Sequence, residues 1–302
     1  MKSLPKTQVF NLVPWSDVEF EHAKITGLNF QRLRNISNDE VLKAVVLDCE
    51  TATEAEGAGI TLGKDTVVEL TMVKVSINRR TGELLSIDSV LSQLNEPPFP
   101  ITQETTDITG ITQELVAGKK FNHTLAEDFV KDVELIIAHN ASFDRPMIEG
   151  LTSTLSDKVW ACSCKGDINW YEHGFSSSGL EYLVFKHQAY YPAHRAAPDC
   201  FALIHLLSSN PNALYELLQS AYSSTYNVTA VDAPFHIKDD LKSIGMKPLY
   251  VGGKFIHWQL QSLTEDKAMD LLGKLESLYK VDRSKALEAV PIGRRYALAV
   301  NG

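Results

Sequence analysis

Four carboxylates and one histidine, Asp48, Glu50, Asp144, Asp199 and His194, are the residues of this 302-residue chain whose types and spacing suit chemistry. The first two close the run Val45-Val46-Leu47-Asp48-Cys49-Glu50-Thr51. In an extended strand residues i and i+2 share a face, so Asp48 and Glu50 point the same way at the mouth of a buried strand. Like charges repel there unless a cation lies between them. Alone, the pair reads equally as a solvated strand end. Asp144 closes the stretch Ala138-His139-Asn140-Ala141-Ser142-Phe143-Asp144, at the C-terminal edge of the apolar run Leu135–His139 and the start of a helix. Open α/β sheets place ligands at that edge, although an acid there also suits the start of a helix. His194 and Asp199 are five residues apart with Pro198 between them, and Asp199 opens the apolar stretch Phe201–Leu207. A carboxylate beside a buried face is costly unless something positive neutralises it. His194 alone reads as a surface-loop histidine.

Taken together, these residues offer hard oxygen ligands without a cysteine–histidine cluster, which favours Mg²⁺ or Mn²⁺ over zinc. Two such ions roughly 4 Å apart activate a water and stabilise a leaving oxygen in attack on phosphorus. Histidine is the one residue type here that titrates near neutrality and could take the water's proton. Cys162-Ser163-Cys164 lacks two further ligands at zinc spacing, so all four cysteines are expected as reduced, mostly buried thiols.

The elements that must hold these groups form a mixed pattern. The acidic strand is followed by a polar loop from Ala52 to Lys64, a β-branched strand from Thr66 to Ile77, and another from about Leu84 to Leu94. Short links imply an antiparallel meander. Then helix and strand alternate. A helix is capped by Thr124, the buried parallel strand Leu135–His139 follows, and a helix runs from about Phe143 to Thr152. A strand at Val159–Cys162 precedes helices around Leu180–His187, Arg195–Leu207 and Pro211–Tyr222, the last capped by Asn210. The fold class is α/β, a mixed sheet flanked by helices, over residues 44–222. Residues 1–43 form an arm packed on this body through Phe10, Trp15, Phe20 and Phe30, with a short helix capped by Ser16. Residues 223–302 read as a small α+β module. Its strand at Tyr226–Val231 is followed by a helix at His236–Ser243 and a hairpin about Gly252-Gly253. An amphipathic helix at Thr264–Leu278 and a last strand at Arg295–Val300 complete it.

The ordered set Asp48-x-Glu50-Thr51, Asn140-x-x-Phe143-Asp144 and His194-x-x-x-x-Asp199, with Thr109-Gly110-Ile111-Thr112 between the first two, resembles the DEDDh branch of the DnaQ-like 3′–5′ exonucleases. That family includes the proofreading subunit of bacterial DNA polymerase III, RNase T and oligoribonuclease, and the resemblance covers about residues 44 to 208. It implies a ribonuclease H-like fold and a site for two Mg²⁺ (or Mn²⁺). By position, Asp48 would bridge both ions, Glu50 and Asp199 would complete the site of the ion holding the attacking water, and Asp144 would support the second. His194 would be the general base. The backbone near Thr51 would meet the terminal 3′-hydroxyl, Phe143 would pack against the terminal nucleotide, and the Ile108–Ile111 loop, with Thr109, would line the same pocket beside Asn140. Core packing is the alternative role for Phe143 and Ile108. Two departures are visible: Ala52-Thr53 replaces the usual Thr-Gly after Thr51, and Thr109 replaces the usual histidine. Neither touches a metal ligand.

The net charge of −9 argues against a sequence-independent coat on duplex DNA. It is unevenly spread: from Ser223 onward 11 basic residues face 9 acidic ones, against 18 and 29 before it. No apolar run approaches the roughly 18 residues of a membrane span, and the N-terminus lacks a secretory pattern, so a cytoplasmic protein is expected. The implied reaction releases nucleoside monophosphates from the 3′ end of single-stranded or frayed DNA. An exoribonuclease and an inactive binding or scaffold module are the alternatives. A homodimer or polymerase partner is implied by analogy only. In the tail, Lys238, Lys242, Lys247, Lys254, His257, Arg294 and Arg295, with Tyr250 and Trp258, form either a cationic stacking surface for single strands, a solvated face or a self-association surface.

Overall fold

The computed structural model describes residues 8–9, 40–61, 66–151, 153–251 and 254–297. The expected helix at Ser16, the arm's packing residues and the Gly252-Gly253 turn lie outside these.

In the first compact unit, Met1–Ala221 with Tyr296–Gly302, the described elements are β1 (Gln8–Val9), β2 (Val41–Ala52), β3 (Thr66–Asn78), β4 (Leu84–Leu94), α1 (Gln103–Thr109), α2 (Gln113–Val116) and α3 (His123–Val130). They continue as β5 (Leu135–Ala138), α4 (Ala141–Ile148), α5 (Ser153–Ser156), β6 (Val159–Cys162), α6 (Leu180–Lys186), β7 (Ala189–Tyr190), α7 (Ala196–Ser209) and α8 (Pro211–Ala221). Five strands form one sheet in the order β4-β3-β2-β5-β6, the first three antiparallel and the last two added in parallel. This is the ribonuclease H-like arrangement, with β2 at the centre.

The sequence of β2 explains its place. Ala44 through Leu47 are fully buried, as a strand covered on both faces requires. Alternation divides them: Ala44 and Val46 pack with Leu203, Ile204 and Leu207 of α7, whereas Val45, Leu47 and Cys49 pack with Val130, Ala141 and Ile148 of α3 and α4. Two cores thus sandwich one sheet, and Asp48 and Glu50 continue the row that faces α7.

Several local expectations differ in detail. The helix after residue 120 is capped by Asn122, whose side chain accepts from the Leu125 N–H, not by Thr124. Asn210 stands at the expected cap position of α8, its backbone carbonyl accepting the Leu214 N–H at 3.0 Å, while its side-chain amide nitrogen donates to the Leu206 carbonyl at 2.7 Å. The helix placed at Phe143–Thr152 begins at Ala141 and ends at Ile148, because Asn140 enters it from the left-handed region (φ 91°). Ile108 and Thr109 lie on α1, closed by left-handed Gly110, and not on a loop.

The second unit, Tyr222–Arg295, contains β8 (Thr225–Ala230), α9 (Lys238–Ser243), β9 (Lys247–Val251), β10 (Lys254–Leu263), α10 (Glu265–Leu278), α11 (Arg283–Ala286) and β11 (Leu287–Val290). Its antiparallel sheet has the order β11-β8-β10-β9, and Ala268, Leu271 and Leu275 of α10 pack on Val228 and Ala230. The last strand among the described residues is Leu287–Val290, after which Pro291 leads into a 3₁₀ turn at Ile292–Arg294; of the strand expected at Arg295–Val300, residues 295–297 are not extended in a sheet and 298–300 lie outside the described residues. Tyr296 returns to the first unit, donating to Asp167 Oδ2 at 2.7 Å. The module expected over 223–302 therefore closes at Arg295. Among the described residues no helix is long and apolar enough to cross a membrane.

The β3–β4 turn shows how tightly the first unit is closed. Gly82 has φ +69°, and a Cβ there would lie 2.3 Å from the Pro211 carbonyl oxygen and 2.4 Å from the Tyr215 nitrogen. Both are backbone atoms of α8 that cannot swing away. Gly82→Ala is expected to cost about 2–4 kcal/mol, from overpacking together with a left-handed alanine. Urea denaturation measures it, and a loss below about 0.5 kcal/mol would show that α8 is free to move.

Candidate active site

Pairing between β2 and β5 ends at Leu47 with Ala138, so β2 runs beyond its parallel neighbour and opens a cleft at its carboxyl end. Asp144 closes part of that gap. Its carboxylate, 2% exposed, accepts the Cys49 N–H at 3.2 Å, taking a donor that β5 no longer reaches. On the other side β3 continues, placing Thr71 opposite Asp48 and Glu69 opposite Glu50, with a register shift immediately after Glu50.

From the α7 face comes Asp199, in the first turn of its helix. Tyr191 Oη donates to Asp199 Oδ1 at 2.9 Å and the Arg195 N–H donates to Oδ2 at 3.0 Å. One carboxylate oxygen each of Asp48, Glu50 and Asp199 lies within 4.8 Å of the others. Asp144 stands outside this trio but close enough for its charge to act on Asp48. His194 precedes α7 in the left-handed region (φ 67°), exposed to solvent, and its charge acts on Asp199.

Crowding four acids in a half-buried cleft raises their proton affinity. Burial, then the charges of Asp144, Asp199, Glu50 and Glu69, hold the Asp48 carboxyl well above the usual carboxylate range. Glu50 is pushed up to about 8 by burial and by Asp199, Glu69 and Asp144, with Arg195 opposing. Asp144 rises to about 7 through burial, tempered by its bond to Cys49. Asp199 is raised by burial and eased by Tyr191, Arg195 and His194. A trio of hard oxygen donors with unfavourable mutual repulsion fits a divalent cation, which supplies the missing positive charge.

Two side chains that the sequence reading did not single out hold this arrangement. Glu69, 3% exposed, takes both prongs of the Arg195 guanidinium (Nε to Oε2 2.9 Å, Nη2 to Oε1 2.8 Å) and the Ala196 N–H at 3.0 Å. This clamp joins β3 to the segment between His194 and Asp199. Its signal was present in the sequence: a lone glutamate within a β-branched strand, and an arginine next to the histidine. Tyr191 is the second, and nothing in its local sequence marks it.

The remaining predicted residues are placed unevenly. Thr51 is nearly buried at the end of β2, and Phe143 packs partly against the α4-side core. The Asn140 side chain accepts from Ser142 Oγ at 3.1 Å. Thr109 is buried, its hydroxyl donating to the Thr105 carbonyl at 2.7 Å and accepting the Ile111 N–H at 3.1 Å, so it is engaged in closing α1. Ile108 is 54% exposed and lines an open depression with Gly57, Glu104 and Asp107; core packing does not explain it. The cysteines are free thiols, and the only group of three potential metal ligands among the described residues is the carboxylate trio.

With this geometry established, comparison with known proteins is decisive on one point. The sequence profile of the RNase_T exonuclease family matches residues 45–207, more than half of the chain. The chain belongs to this exonuclease family. It is a DnaQ-like 3′–5′ exonuclease domain, and Asp48, Glu50, Asp144, His194 and Asp199 keep in it the order of acids and histidine read from the sequence. Relatives include the PolC-type DNA polymerase III of Thermotoga maritima, 31% identical over 117 residues, and that of Oceanobacillus iheyensis, 34% identical over 113 residues. Each match covers 37% of this chain, but only 8% and 7% of the respective polymerase. Solved structures with similar folds include the nuclease domain of 3′hExo, a DEDDh family member, bound to rAMP (18% identity, TM-score 0.46, 60% of this chain and 97% of that one). Exonuclease X in complex with 5′ overhanging duplex DNA is another (23% identity, TM-score 0.38, 58% and 99%).

Two outcomes follow from this site. Without metal, the folded state keeps carboxyl protons that the unfolded chain has already released, so it binds more protons and stability falls as pH rises. The window runs from the ordinary carboxylate range near ~4 to about 8, set by Glu50. The melting temperature in EDTA should therefore drop between pH 5 and pH 8, and Mn²⁺ should restore it at pH 8. A flat or rising profile in EDTA would contradict this account. Breaking the clamp should also show. Arg195→Lys, which cannot form the two-pronged contact, should reduce exonuclease turnover about 10–100-fold and raise the half-saturating Mn²⁺ concentration. Unchanged metal dependence would reduce the clamp to a packing role.

Proposed function

We propose that this domain removes nucleoside monophosphates one at a time from the 3′ end of single-stranded or frayed DNA. The observation that carries the reading is the convergence of Asp48, Glu50 and Asp199 within 4.8 Å at the sheet's open end, inside a segment that matches an exonuclease family throughout. The support for DNA is the likeness to segments of PolC-type DNA polymerase III, which also supports work beside a polymerase.

In this reading Asp48, Glu50 and Asp199, with Asp144, hold two divalent cations, Mg²⁺ or Mn²⁺. Bound cations supply Lewis-acid polarisation of the phosphate and a more acidic water. The chain's own residues do the rest. His194 stands exposed at the rim, free of the buried acids' packing, where an imidazole takes the proton of the attacking water. The water oxygen bonds to phosphorus, the bond from phosphorus to the 3′-oxygen of the preceding nucleotide breaks, and that oxygen regains a proton. Glu69 and Arg195 fix the segment carrying His194 and Asp199, so the base and the acid keep a constant separation. As the family likeness implies, the backbone near Thr51 would meet the terminal 3′-hydroxyl and Phe143 would pack against the terminal nucleotide, with Ile108, 54% exposed, available as a further apolar contact.

Digestion of 5′-labelled single-stranded DNA and matched RNA, each with Mg²⁺ or Mn²⁺, tests the reading. A 3′-to-5′ ladder on DNA is expected. It should be abolished by Asp48→Ala and slowed about 10²–10⁴-fold by His194→Ala. Faster cleavage of RNA would move the substrate class to RNA ends, and no ladder on either strand would overturn the reading.

A further inference from the structure

The second unit carries a row of rings and cations that belongs to neither the carboxylate trio nor its clamp. At one end Phe235, 83% exposed, has the Lys238 ammonium 4.9 Å above its ring. Lys242 lies one turn further along α9 on the same side and sits 6.0 Å from the Trp258 ring. Trp258 meets Phe255 edge to face with centroids 6.2 Å apart, and Phe255 meets Tyr250 in the same manner at 5.8 Å. The backbone explains the alignment: Phe255 pairs with Tyr250 and Trp258 with Pro248, and the irregularity between Phe255 and His257 brings both pairs to one face. Phe255 and Tyr250 remain 50% and 59% exposed.

Folding does not explain this row. The unit's core is made by α10 against β8, and Trp258 alone of the four aromatics joins that core, partly buried. Water is a poor environment for three further large rings, and a contiguous exposed group of this kind marks a binding surface. The cations choose the occupant. The row itself holds no acid that a second copy of this face could set against Lys238 and Lys242. A single nucleic-acid strand, by contrast, offers phosphates for the two ammonium groups and base faces for the rings beside them. Lys242 also meets the exposed Asp239 at 3.3 Å, a weak surface pair that a phosphate can replace. Lys247 and Lys254, one residue out of phase with Tyr250 and Phe255, belong to the other face of the hairpin.

We propose that Phe235, Lys238, Lys242, Trp258, Phe255 and Tyr250 form a second binding site for single-stranded nucleic acid, separate from the catalytic cleft. The choice of ligand rests on the proposed exonuclease reading, whereas the site is tested by binding, so the two can fail separately.

The experiment uses the full chain in EDTA, where hydrolysis cannot proceed, with fluorescein-labelled dT20 followed by anisotropy across a salt series. Tyr250→Ala and Phe255→Ala should each weaken binding about tenfold, as the loss of a stacked base predicts. Phe255→Leu keeps the apolar bulk and should lose nearly as much, whereas Phe255→Tyr should bind as the parent does. Lys242→Gln should flatten the dependence of log affinity on log salt by about 0.7. Cleavage of a 5′-labelled trinucleotide with Mn²⁺ should be unchanged in all five variants, and unchanged melting temperatures certify the fold. Parent-like dT20 affinity and salt slope in the alanine and glutamine variants overturn the proposal. If those variants instead dissociate an oligomer in sedimentation velocity with dT20 affinity intact, the face belongs to self-association and the proposal fails.

Discussion

Mutual repulsion among carboxylates at the end of one buried strand is the constraint on which the first unit depends. Asp48 and Glu50 are carried into the cleft by a strand that cannot shift: its apolar residues are packed on both faces, and a slip of one position would turn every side chain over. Asp199 is brought to the same place by the helix that covers that face. The energy of burying the apolar rows holds these acids together against a charge interaction that favours separating them.

The surrounding structure limits the cost. Asp144 and Asp199 are each placed to accept backbone N–H groups, from Cys49 and from Arg195, and Tyr191 adds a hydroxyl. Each bond stabilises the charged form that a metal ligand requires. The Glu69–Arg195 clamp is less obvious, since Glu69 adds yet another acid beside Glu50. Arg195 neutralises it at close range, and the two-pronged geometry fixes the backbone that bears His194 on one side and Asp199 on the other. A buried ion pair of this kind gives little net stability but specifies position, and position matters most at a cation site.

The second unit solves a different problem. A four-stranded sheet with one principal covering helix leaves its edge strand and outer hairpin in water. Many proteins guard such an edge with charge alone. Here two lysines of α9 stand beside rings along one face, which provides electrostatic and stacking contacts without a deep pocket.

Sequence alone determined the chemistry of the acidic site and the class of sheet. Strand alternation put Asp48 and Glu50 on one face, the switch from meander to alternating helices and strands implied a mixed sheet, and the ordered acids with His194 carried the family likeness. These are local or periodic properties, readable along the chain. What only the tertiary structure decided depends on distance across it. Glu69 meets Arg195 from 126 residues away, and Tyr191 reaches Asp199 only because the turn before α7 folds back. Thr109 is a local exception: its hydroxyl closes its own helix, bonding Thr105 and Ile111. The row from Phe235 to Tyr250 emerges only when β9 and β10 pair out of simple register. Periodicity tells which face a residue takes, but not which other face it will meet, because that is settled by packing and register between elements distant in sequence.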